Sequence, residues 1–294
     1  MNNERNILTL NTTVSKYSTL MMELDIARNA GYRSIEIISS KVWDYLDAGH
    51  SQFELKQALD GFVVQGIGAL LDIERQGDDA KKLFKDAEEL FQLAHVIDAK
   101  GVQIVTGPLD VNAVIRYKNN RSTSEYTGLL SSSLDEQIAL TAKNLRALAD
   151  LAQQFGLLIY FEALSWTPLN TLAKQVRLLE QTSRDNVKMV IDYWHCYTSG
   201  DTPETLAKLD KQWIYGVHVC DSLAYDGGIP DEVVLRDVST GQGVLDLVAW
   251  TDAVKATGYD HWWSSETFCR KQQQQNSYHV AKQLKAQLAA LIAS

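Results

Sequence analysis

The sequence of 294 residues is poor in cysteine, and its three thiols, Cys196, Cys220 and Cys269, form no CxxC pair. Three separated thiols build neither a paired disulfide framework nor a redox motif, so reduced cysteines and a cytoplasmic location are expected. No run of 18 or more apolar residues occurs, so no transmembrane helix is expected. The first ten residues, MNNERNILTL, lack a long apolar segment, and no secretory signal is expected.

Positive charge is also scarce. The chain has 28 Lys and Arg against 37 Asp and Glu, a formal net charge of −9, and no basic stripe. A nucleic-acid partner is therefore not expected, nor is a membrane. Runs such as DDAKKLFKDAEEL mix both signs and are typical of solvated helix faces. At 45% hydrophobic and 22% charged residues, the composition is that of an ordinary globular protein.

Two kinds of segment alternate along the chain. Short apolar runs predict strands at residues 7–14, 34–38, 63–70, 102–105, 157–162, 188–192, 214–219 and 262–266. Helical spacing follows at residues 20–29, 53–59, 80–97, 134–154, 172–182, 204–209, 247–256 and 278–292. Eight such units favour a closed (β/α)₈ TIM barrel over an open doubly wound sheet. No interdomain linker is evident, so we expect one barrel domain over residues 1–294.

Local signals agree with this division. Glycines follow the last turn of three predicted helices, where a left-handed cap favours this residue: Gly31, Gly156 and Gly258. Ser133 and Glu136 have the spacing of a capping box. The polar stretches 117–133 and 221–244 are predicted to be long loops of the kind that cover the catalytic face of a barrel.

Four late strands each end in a polar residue at the same depth. These residues lie two positions after Tyr160, Val190, Gly216 and Ser264, and they are Glu162, Asp192, His218 and Glu266. Alternate side chains of a barrel strand point inward, and barrel enzymes place their active sites at the C-terminal strand ends. We therefore expect the four side chains to converge. The small residues Gly216 and Ser264 are expected to leave room at the barrel centre.

A divalent metal ion would offset the repulsion among the three converging carboxylates. Three converging carboxylates repel one another, and each is costly to bury in its ionised form. Three carboxylates and one imidazole suit Mn²⁺, Co²⁺, Zn²⁺ or Mg²⁺, with positions left open for water or substrate. A single Glu or Asp at a strand end is more often a helix cap or an ion-pair partner. A single buried histidine such as His218 more often has all its hydrogen bonds made within the protein. Their joint occurrence predicts one metal ion as cofactor.

These residues carry a family resemblance. The pattern Glu162, Asp192-x-x-His195, His218 and Glu266 resembles the xylose isomerase-like superfamily of sugar isomerases and epimerases. The match is firmest from residue 157 to residue 270. Within the superfamily, SRDNVKMVIDYWH, GVHVCDS and Arg236 with the later Gly241-Gln242-Gly243 look most like the inosose (keto-inositol) isomerase branch.

The resemblance implies a (β/α)₈ barrel with one divalent metal ion, and it implies these ligands: Glu162, Asp192, His218 and Glu266. It implies that Glu162 and Glu266 also move protons, and that His195 and Arg236 contact substrate. Trp166, near a strand end, could stack on a sugar ring. Homo-oligomers are usual among the proteins that the chain resembles.

The chemistry expected at such a centre is proton transfer beside a carbonyl. A metal chelated by a carbonyl and a neighbouring hydroxyl acidifies the adjacent C–H bond by stabilising an enediolate. A carboxylate on one face removes the proton, and an acid on the other face can return it. The expected partner is a small sugar or cyclitol ketone, and the expected function is its isomerisation or epimerisation.

Three other functions compete with this one. Inosose and 3-dehydroshikimate dehydratases resemble the same scaffold, and the same enolate eliminates water if a β-hydroxyl is aligned to leave. Abasic-site endonucleases share the superfamily but need an Asp-Arg-His triplet, where this chain has Leu235-Arg236-Asp237. A non-catalytic sugar-binding barrel is disfavoured by the intact glutamate pair.

Several nearby residues are assigned structural roles. Glu36 has inward parity on the second strand and is taken as a structural glutamate of the barrel. Cys196 and Cys220 are interpreted as packing residues, because thiolates compete poorly for a hard oxygen site. The Gly241–Gly243 stretch lacks the lysine or serine of a phosphate loop, so a turn entering the next helix is expected.

Overall fold

The computed structural model describes residues 5–294, in which eight parallel strands close into a barrel in chain order. The strands are β1 (Ile7–Asn11), β2 (Ser34–Ile38), β3 (Val63–Leu70), β4 (Gly101–Val105), β5 (Leu158–Glu162), β6 (Val187–Asp192), β7 (Ile214–Val219) and β8 (Trp262–Ser265). Pairing of β8 with β1 closes the ring. The predicted (β/α)₈ barrel is confirmed.

Helices surround the barrel between successive strands. They are α1 (Leu20–Asn29), α2 (Ser39–Asp47), α3 (Gln52–Leu59), α4 (Gly77–Val96), α5 (Val111–Lys118), α6 (Leu134–Gln154), α7 (Leu172–Thr182), α8 (Tyr193–Ser199), α9 (Pro203–Leu206), α10 (Glu232–Leu235), α11 (Leu247–Ala256), α12 (Arg270–Gln273) and α13 (Ser277–Ala293). Among the residues described, no helix is both long enough and apolar enough to cross a membrane.

The local signals in the sequence correspond to observed caps. Gly31, Gly156 and Gly258 have φ values of +75°, +71° and +84°, the left-handed conformation that glycine adopts without strain. Ser133 and Glu136 form both hydrogen bonds of a capping box at the start of α6. These caps fix where the helices begin and end and therefore how long the connecting loops are.

Some predicted bounds are wrong for identifiable reasons. The first strand was expected to reach residue 14 but ends at Asn11, whose side chain accepts the backbone N–H of Thr13 and starts a 3₁₀ turn. The helix expected at residues 204–209 is one turn, α9, because Leu206 is its one buried side chain. The stretch 221–244 is interrupted by the short helix α10.

Aromatic side chains fill the barrel interior below the strand ends. Tyr160 and Trp262 form a separate buried cluster with Val190, and Tyr215 packs against it. Gly216 leaves room in the barrel interior, as expected, and the indole of Trp262 occupies it, since a Cβ atom at position 216 would lie 1.9 Å from that ring. These rings pack directly below the polar residues at the strand ends, and the ring of Trp262 contacts that of His218.

A second apolar core joins the outer face of the barrel to the helices. Leu24 of α1, Phe91 of α4, Leu145 of α6 and Leu284 of α13 are buried in it. Burial of such side chains contributes about 1.5–3 kcal/mol each and fixes the helices around the barrel.

A buried carboxyl group lies beneath the loop between α5 and α6. Glu74 Oε2 accepts the backbone N–H of Gly107 at 2.9 Å, and the backbone of Gly128 lies against Glu74 Oε1. Burial raises the pKa of Glu74 to about 7, and the negative charge of Asp72 adds to the rise. The folded protein therefore retains a proton on this carboxyl group at pH values where the unfolded chain has lost it.

This retained proton predicts a pH dependence of stability. Below the unfolded pKa of 4.5 both states are protonated, and stability falls as the pH rises from there to about 7. At 1.36 kcal/mol per pKa unit, the loss is at most about 3 kcal/mol. Glu74→Gln should remove this loss, so the difference in free energy of unfolding between variant and wild type should grow across the window.

Urea unfolding at pH values from 4.5 to 8 measures this difference. Glu125→Gln, in the exposed part of the same loop, is the matched control and should leave the pH dependence unchanged. A constant offset between Glu74→Gln and wild type at all pH values would contradict the prediction.

Candidate metal centre and active site

Four buried side chains from the last four strands meet at the C-terminal mouth of the barrel. Glu162 and Asp192 are the last residues of β5 and β6, His218 lies near the end of β7, and Glu266 directly follows β8. One potential ligand atom from each lies within 4.8 Å of all the others. Each residue is at most 8% exposed. The expected convergence is present, while the role of these residues as ligands stays a prediction.

Strand register accounts for this common depth. Asp192 pairs with His218, and His218 pairs with Ser264, two residues before Glu266. The backbone N–H of Glu266 continues the ladder by donating to Val219 O at 3.0 Å. Because barrel strands tilt relative to the barrel axis, inward side chains of equal parity on neighbouring strands reach a similar depth even where their register differs by two residues. Glu162, Asp192 and His218 therefore converge from the strands themselves, and Glu266 joins them from the first position after β8.

A carboxylate behind His218 fixes the orientation of its ring. His218 Nε2 lies 2.9 Å from Glu36 Oε2, and Glu36 also accepts hydrogen bonds from Asn11 Nδ2 at 2.8 Å and Tyr160 Oη at 2.6 Å. Burial favours a neutral carboxyl, but the charge and hydrogen bond of His218, together with the hydrogen bonds from Tyr160 and Asn11, lower the pKa of Glu36. A carboxylate at this position accepts the Nε2 proton and turns Nδ1 toward the centre.

The inner face of the centre has donor atoms without partners. His218 Nδ1 lies 3.6 Å from Glu162 Oε1 and 3.7 Å from Glu266 Oε1. Among residues 5–294, neither His218 Nδ1 nor Glu162 Oε1 has a hydrogen-bond partner, although both are buried. Burial opposes charge on His218, but Glu36 and Glu266 raise its pKa well above the ordinary value. A divalent cation would satisfy these atoms and the negative charge together, so the residues fit a metal.

One arginine balances part of the negative charge. Arg236 is buried, and its Nη2 contacts Asp192 Oδ2 at 3.1 Å and Glu266 Oε2 at 2.6 Å. Its guanidinium lies 4.1 Å from the ring centroid of Phe268. Although burial opposes ionisation, Arg236 and His195 hold the pKa of Asp192 well below its usual range. For Glu266 burial dominates, and its pKa is raised well above the ordinary value.

His195 reaches the centre because the chain turns directly after β6. Asp192 caps α8, and its Oδ1 accepts the backbone N–H of His195 at 2.7 Å. The backbone N–H of Ser165 donates to His195 Nδ1 at 3.2 Å, so the other nitrogen, Nε2, carries the proton. This Nε2 lies 3.9 Å from Glu162 Oε1. His195 therefore presents an N–H group to any molecule bound beside Glu162.

The sequence analysis did not identify several residues around this centre. Gln103 on β4 donates from Nε2 to Glu162 Oε2 at 3.1 Å, and its inward parity was the available signal. Cys220, interpreted only as packing, also donates from Sγ to both carboxylate oxygens of Asp192 at 3.4 Å. Glu36, interpreted as structural, contacts His218 directly.

The glycine-rich stretch is part of a closed loop. Asp221 accepts the backbone N–H groups of Gly241 at 2.9 Å and Gly243 at 2.8 Å. It also accepts those of Ser222 at 2.8 Å and Leu245 at 3.1 Å. The amides that a phosphate would need are thus engaged, and the stretch forms the expected turn before α11.

Trp166 lies in a cavity above the centre. Its indole Nε1 donates to the backbone carbonyls of Pro108 at 3.1 Å and Leu109 at 3.2 Å. The cavity has a volume of about 420 Å³ and is also lined by His195 and Arg236. All three proposed substrate-side residues therefore border the same space.

The geometry predicts how a metal would depend on Glu36. Titration of chelator-treated protein with Co²⁺ or Zn²⁺ should give one site per chain, which His218→Ala removes. Glu36→Gln should weaken binding about 10- to 100-fold, the usual effect of losing an outer-shell partner of a ligating histidine. Isothermal titration calorimetry and the visible spectrum of bound Co²⁺ measure this. Glu89→Gln, an exposed change on α4, is the control, and equal affinity in Glu36→Gln and the control would disprove the prediction.

Comparison with known proteins agrees with this architecture. An inosose isomerase of Bacillus velezensis is 24% identical over 263 residues, which cover 87% of this chain and 86% of that protein. A 3-dehydroshikimate dehydratase of Pseudomonas aeruginosa is 30% identical over 131 residues, 44% of this chain and 21% of that protein. The resemblance to inosose isomerases noted in the sequence is thus confirmed.

Two further comparisons concern the fold itself. The crystal structure of the IOLI protein with a bound zinc atom superimposes with a TM-score of 0.84 at 21% identity, covering 98% of both chains. The family model for the xylose isomerase-like TIM barrel matches residues 24–292. The chain belongs to the xylose isomerase-like TIM-barrel family.

Proposed function

We propose that the protein is a metal-dependent isomerase or epimerase of a small sugar or cyclitol ketone. The observation that carries the proposal is the pair of glutamates, Glu162 and Glu266, which each direct one buried oxygen toward His218 Nδ1. Similarity to inosose isomerases and the zinc bound in the IOLI structure support it.

The proposed cofactor is one divalent metal ion, Mn²⁺, Co²⁺, Zn²⁺ or Mg²⁺, held by four residues: Glu162, Asp192, His218 and Glu266. When bound, the metal would polarise the carbonyl of the substrate and acidify the neighbouring C–H bond. The protein supplies the groups that bind the substrate and move the proton.

The second oxygens of the two glutamates are suited to proton transfer. Glu162 Oε2 contacts the neutral amide of Gln103 at 3.1 Å, whereas Glu266 Oε2 contacts the guanidinium of Arg236 at 2.6 Å. An amide donor weakens the basicity of a carboxylate less than a cation does. Glu162 is therefore the proposed base, and Glu266 is the proposed group that returns the proton on the opposite face.

His195, Arg236 and Trp166, which lie above the centre, would orient the substrate. The Nε2–H group of His195 can donate to a substrate oxygen beside Glu162. Arg236 fixes the carboxylates of Asp192 and Glu266 and faces the same cavity. Trp166 offers only its ring, since its N–H group is engaged by the backbone.

A dehydratase is the second candidate, favoured by the relatives named inosose dehydratase and 3-dehydroshikimate dehydratase. Abstraction of the same proton starts both reactions. Elimination follows if the acid protonates a leaving hydroxyl group, and isomerisation follows if it protonates carbon.

The decisive experiment is incubation with keto-inositols and ketoses in deuterated water, with and without a chelator. We expect metal-dependent uptake of deuterium next to the carbonyl, measured by NMR. Glu162→Gln should slow the uptake by about 10²- to 10⁴-fold, the usual contribution of a general base. Glu89→Gln serves as the control for the substitution. Formation of an ultraviolet-absorbing enone would indicate a dehydratase. If no compound of the panel takes up deuterium or forms an enone, both the isomerase and the dehydratase proposals are refuted.

A further inference from the structure

Glu266 lies just past the end of the strand ladder that contains the other three converging residues. β8 ends at Ser265, which forms the last pair of the β1–β8 ladder with Leu10. The backbone N–H of Glu266 donates to Val219 O on the β7 side at 3.0 Å. On the β1 side the chain leaves the sheet after Asn11. In the described part of the chain, strand pairing therefore holds Glu266 from one side only.

A side chain of the 3₁₀ turn after β1, Thr12–Ser15, supplies the contact on the other side. The backbone N–H of Thr267 donates to Thr13 Oγ1 at 3.1 Å. The same hydroxyl group donates to Asn11 Oδ1 at 2.7 Å, so both its acceptor and its donor are used. Thr267 directly follows Glu266 in the chain. The hydrogen bond to Thr13 therefore fixes the backbone next to this glutamate.

A buried glutamine of α12 strengthens the same connection. Gln273 Nε2 donates to Thr267 O at 2.7 Å and, more weakly, to Thr13 O at 3.4 Å. The turn after β1 and the segment after β8 are therefore joined by the glutamine as well as by the Thr13 hydroxyl. Removal of that hydroxyl would loosen the connection without separating the two segments.

Asn11 extends this connection to the opposite end of the candidate metal centre. Its Oδ1 accepts the backbone N–H of Thr13 at 2.9 Å as well as the hydroxyl, and its Nδ2 donates to Glu36 Oε2 at 2.8 Å. That carboxylate oxygen lies 2.9 Å from His218 Nε2. One buried amide thus links the residue behind His218 to the residue that holds the segment of Glu266.

We propose that Thr13 is a positioning residue for Glu266, the candidate ligand and proton carrier of the centre. Its hydroxyl group fixes where the segment after β8 enters the barrel mouth, and Asn11 couples that segment to the imidazole of His218. The inference rests on the proposed function, in which Glu266 holds a metal and moves a proton. It gives a positioning role to the turn after β1, which contributes none of the four converging residues.

Metal binding reports on the position of Glu266 without a substrate. Thr13→Val retains the size of the side chain and removes both hydrogen bonds of the hydroxyl group. It should weaken the binding of Co²⁺ to chelator-treated protein about 3- to 10-fold, the equivalent of about one hydrogen bond, and change the visible spectrum of the bound ion. Thr13→Ser retains the hydroxyl group and should restore the affinity and spectrum of the wild type. Calorimetric titration gives the affinities.

Thr12→Val is the matched control for a purely structural effect. The Thr12 hydroxyl group belongs to the same turn but donates to Glu23 of α1 at 2.8 Å. This variant should lower the urea midpoint of unfolding, as Thr13→Val does, yet retain the Co²⁺ affinity and spectrum. Equal loss of affinity in the two valine variants would overturn the inference. Wild-type affinity in Thr13→Val, or a loss in Thr13→Ser as large as in Thr13→Val, would also overturn it.

A double variant tests the link through Asn11. Since Thr13 and Glu36 belong to one hydrogen-bond network, Thr13→Val and Glu36→Gln together should weaken Co²⁺ binding by less than the product of their separate effects. A combined effect equal to that product would refute the coupling. Thr13→Ala, which also lacks the hydroxyl group, replaces Thr13→Val in both experiments if the valine variant does not fold.

Deuterium uptake by a ketone substrate separates failure of this inference from failure of the proposed function. At saturating metal, Thr13→Val should slow the uptake by up to about 100-fold, the cost of misplacing a catalytic group by about 1 Å. Unchanged uptake and Co²⁺ binding in Thr13→Val would refute the inference and sustain the function. Weakened Co²⁺ binding in Thr13→Val without uptake by any form of the protein would do the reverse. A wild-type protein that binds no metal would refute both.

Discussion

The hydrogen bond between Glu36 and His218 connects the packed interior of the barrel to the polar centre at its mouth. Glu36 is held by Asn11 of β1 and Tyr160 of β5, so three strands other than β7 determine where the imidazole points. Tyr160 in turn belongs to the aromatic cluster that fills the barrel. The orientation of the free Nδ1 atom is therefore a result of core packing as much as of local hydrogen bonding.

Charge at this centre is distributed unequally. Four carboxyl groups, those of Glu36, Glu162, Asp192 and Glu266, lie around the imidazoles of His218 and His195 and the guanidinium of Arg236. Arg236 reaches them from the loop after β7, which Asp221 closes through four backbone N–H groups. The position of that loop and the neutralisation of Asp192 and Glu266 are consequently coupled through Arg236.

The sequence allowed the barrel and the convergence of Glu162, Asp192, His218 and Glu266 to be predicted, because both follow from period-two alternation and strand order. The room left by Gly216 was expected as well, but the sequence did not indicate that a large ring from the neighbouring strand fills it. The inward parity of Gln103 was visible in the sequence, but its hydrogen bond to Glu162, 59 residues away, was not. Rotamers and cross-barrel hydrogen bonds depend on the assembled interior, which strand patterns do not specify.

The absence of a side chain at Gly66 limits which residues this position of the barrel can accept. A Cβ atom there would lie 1.8 Å from Tyr160 Oη, the atom that holds Glu36 in place. Position 66 is on β3, which contributes none of the four converging residues. A single methyl group at that distance would displace the tyrosine and, through Glu36, the imidazole. A side chain at position 66 would therefore disturb the polar centre at the barrel mouth as well as the packing of the interior.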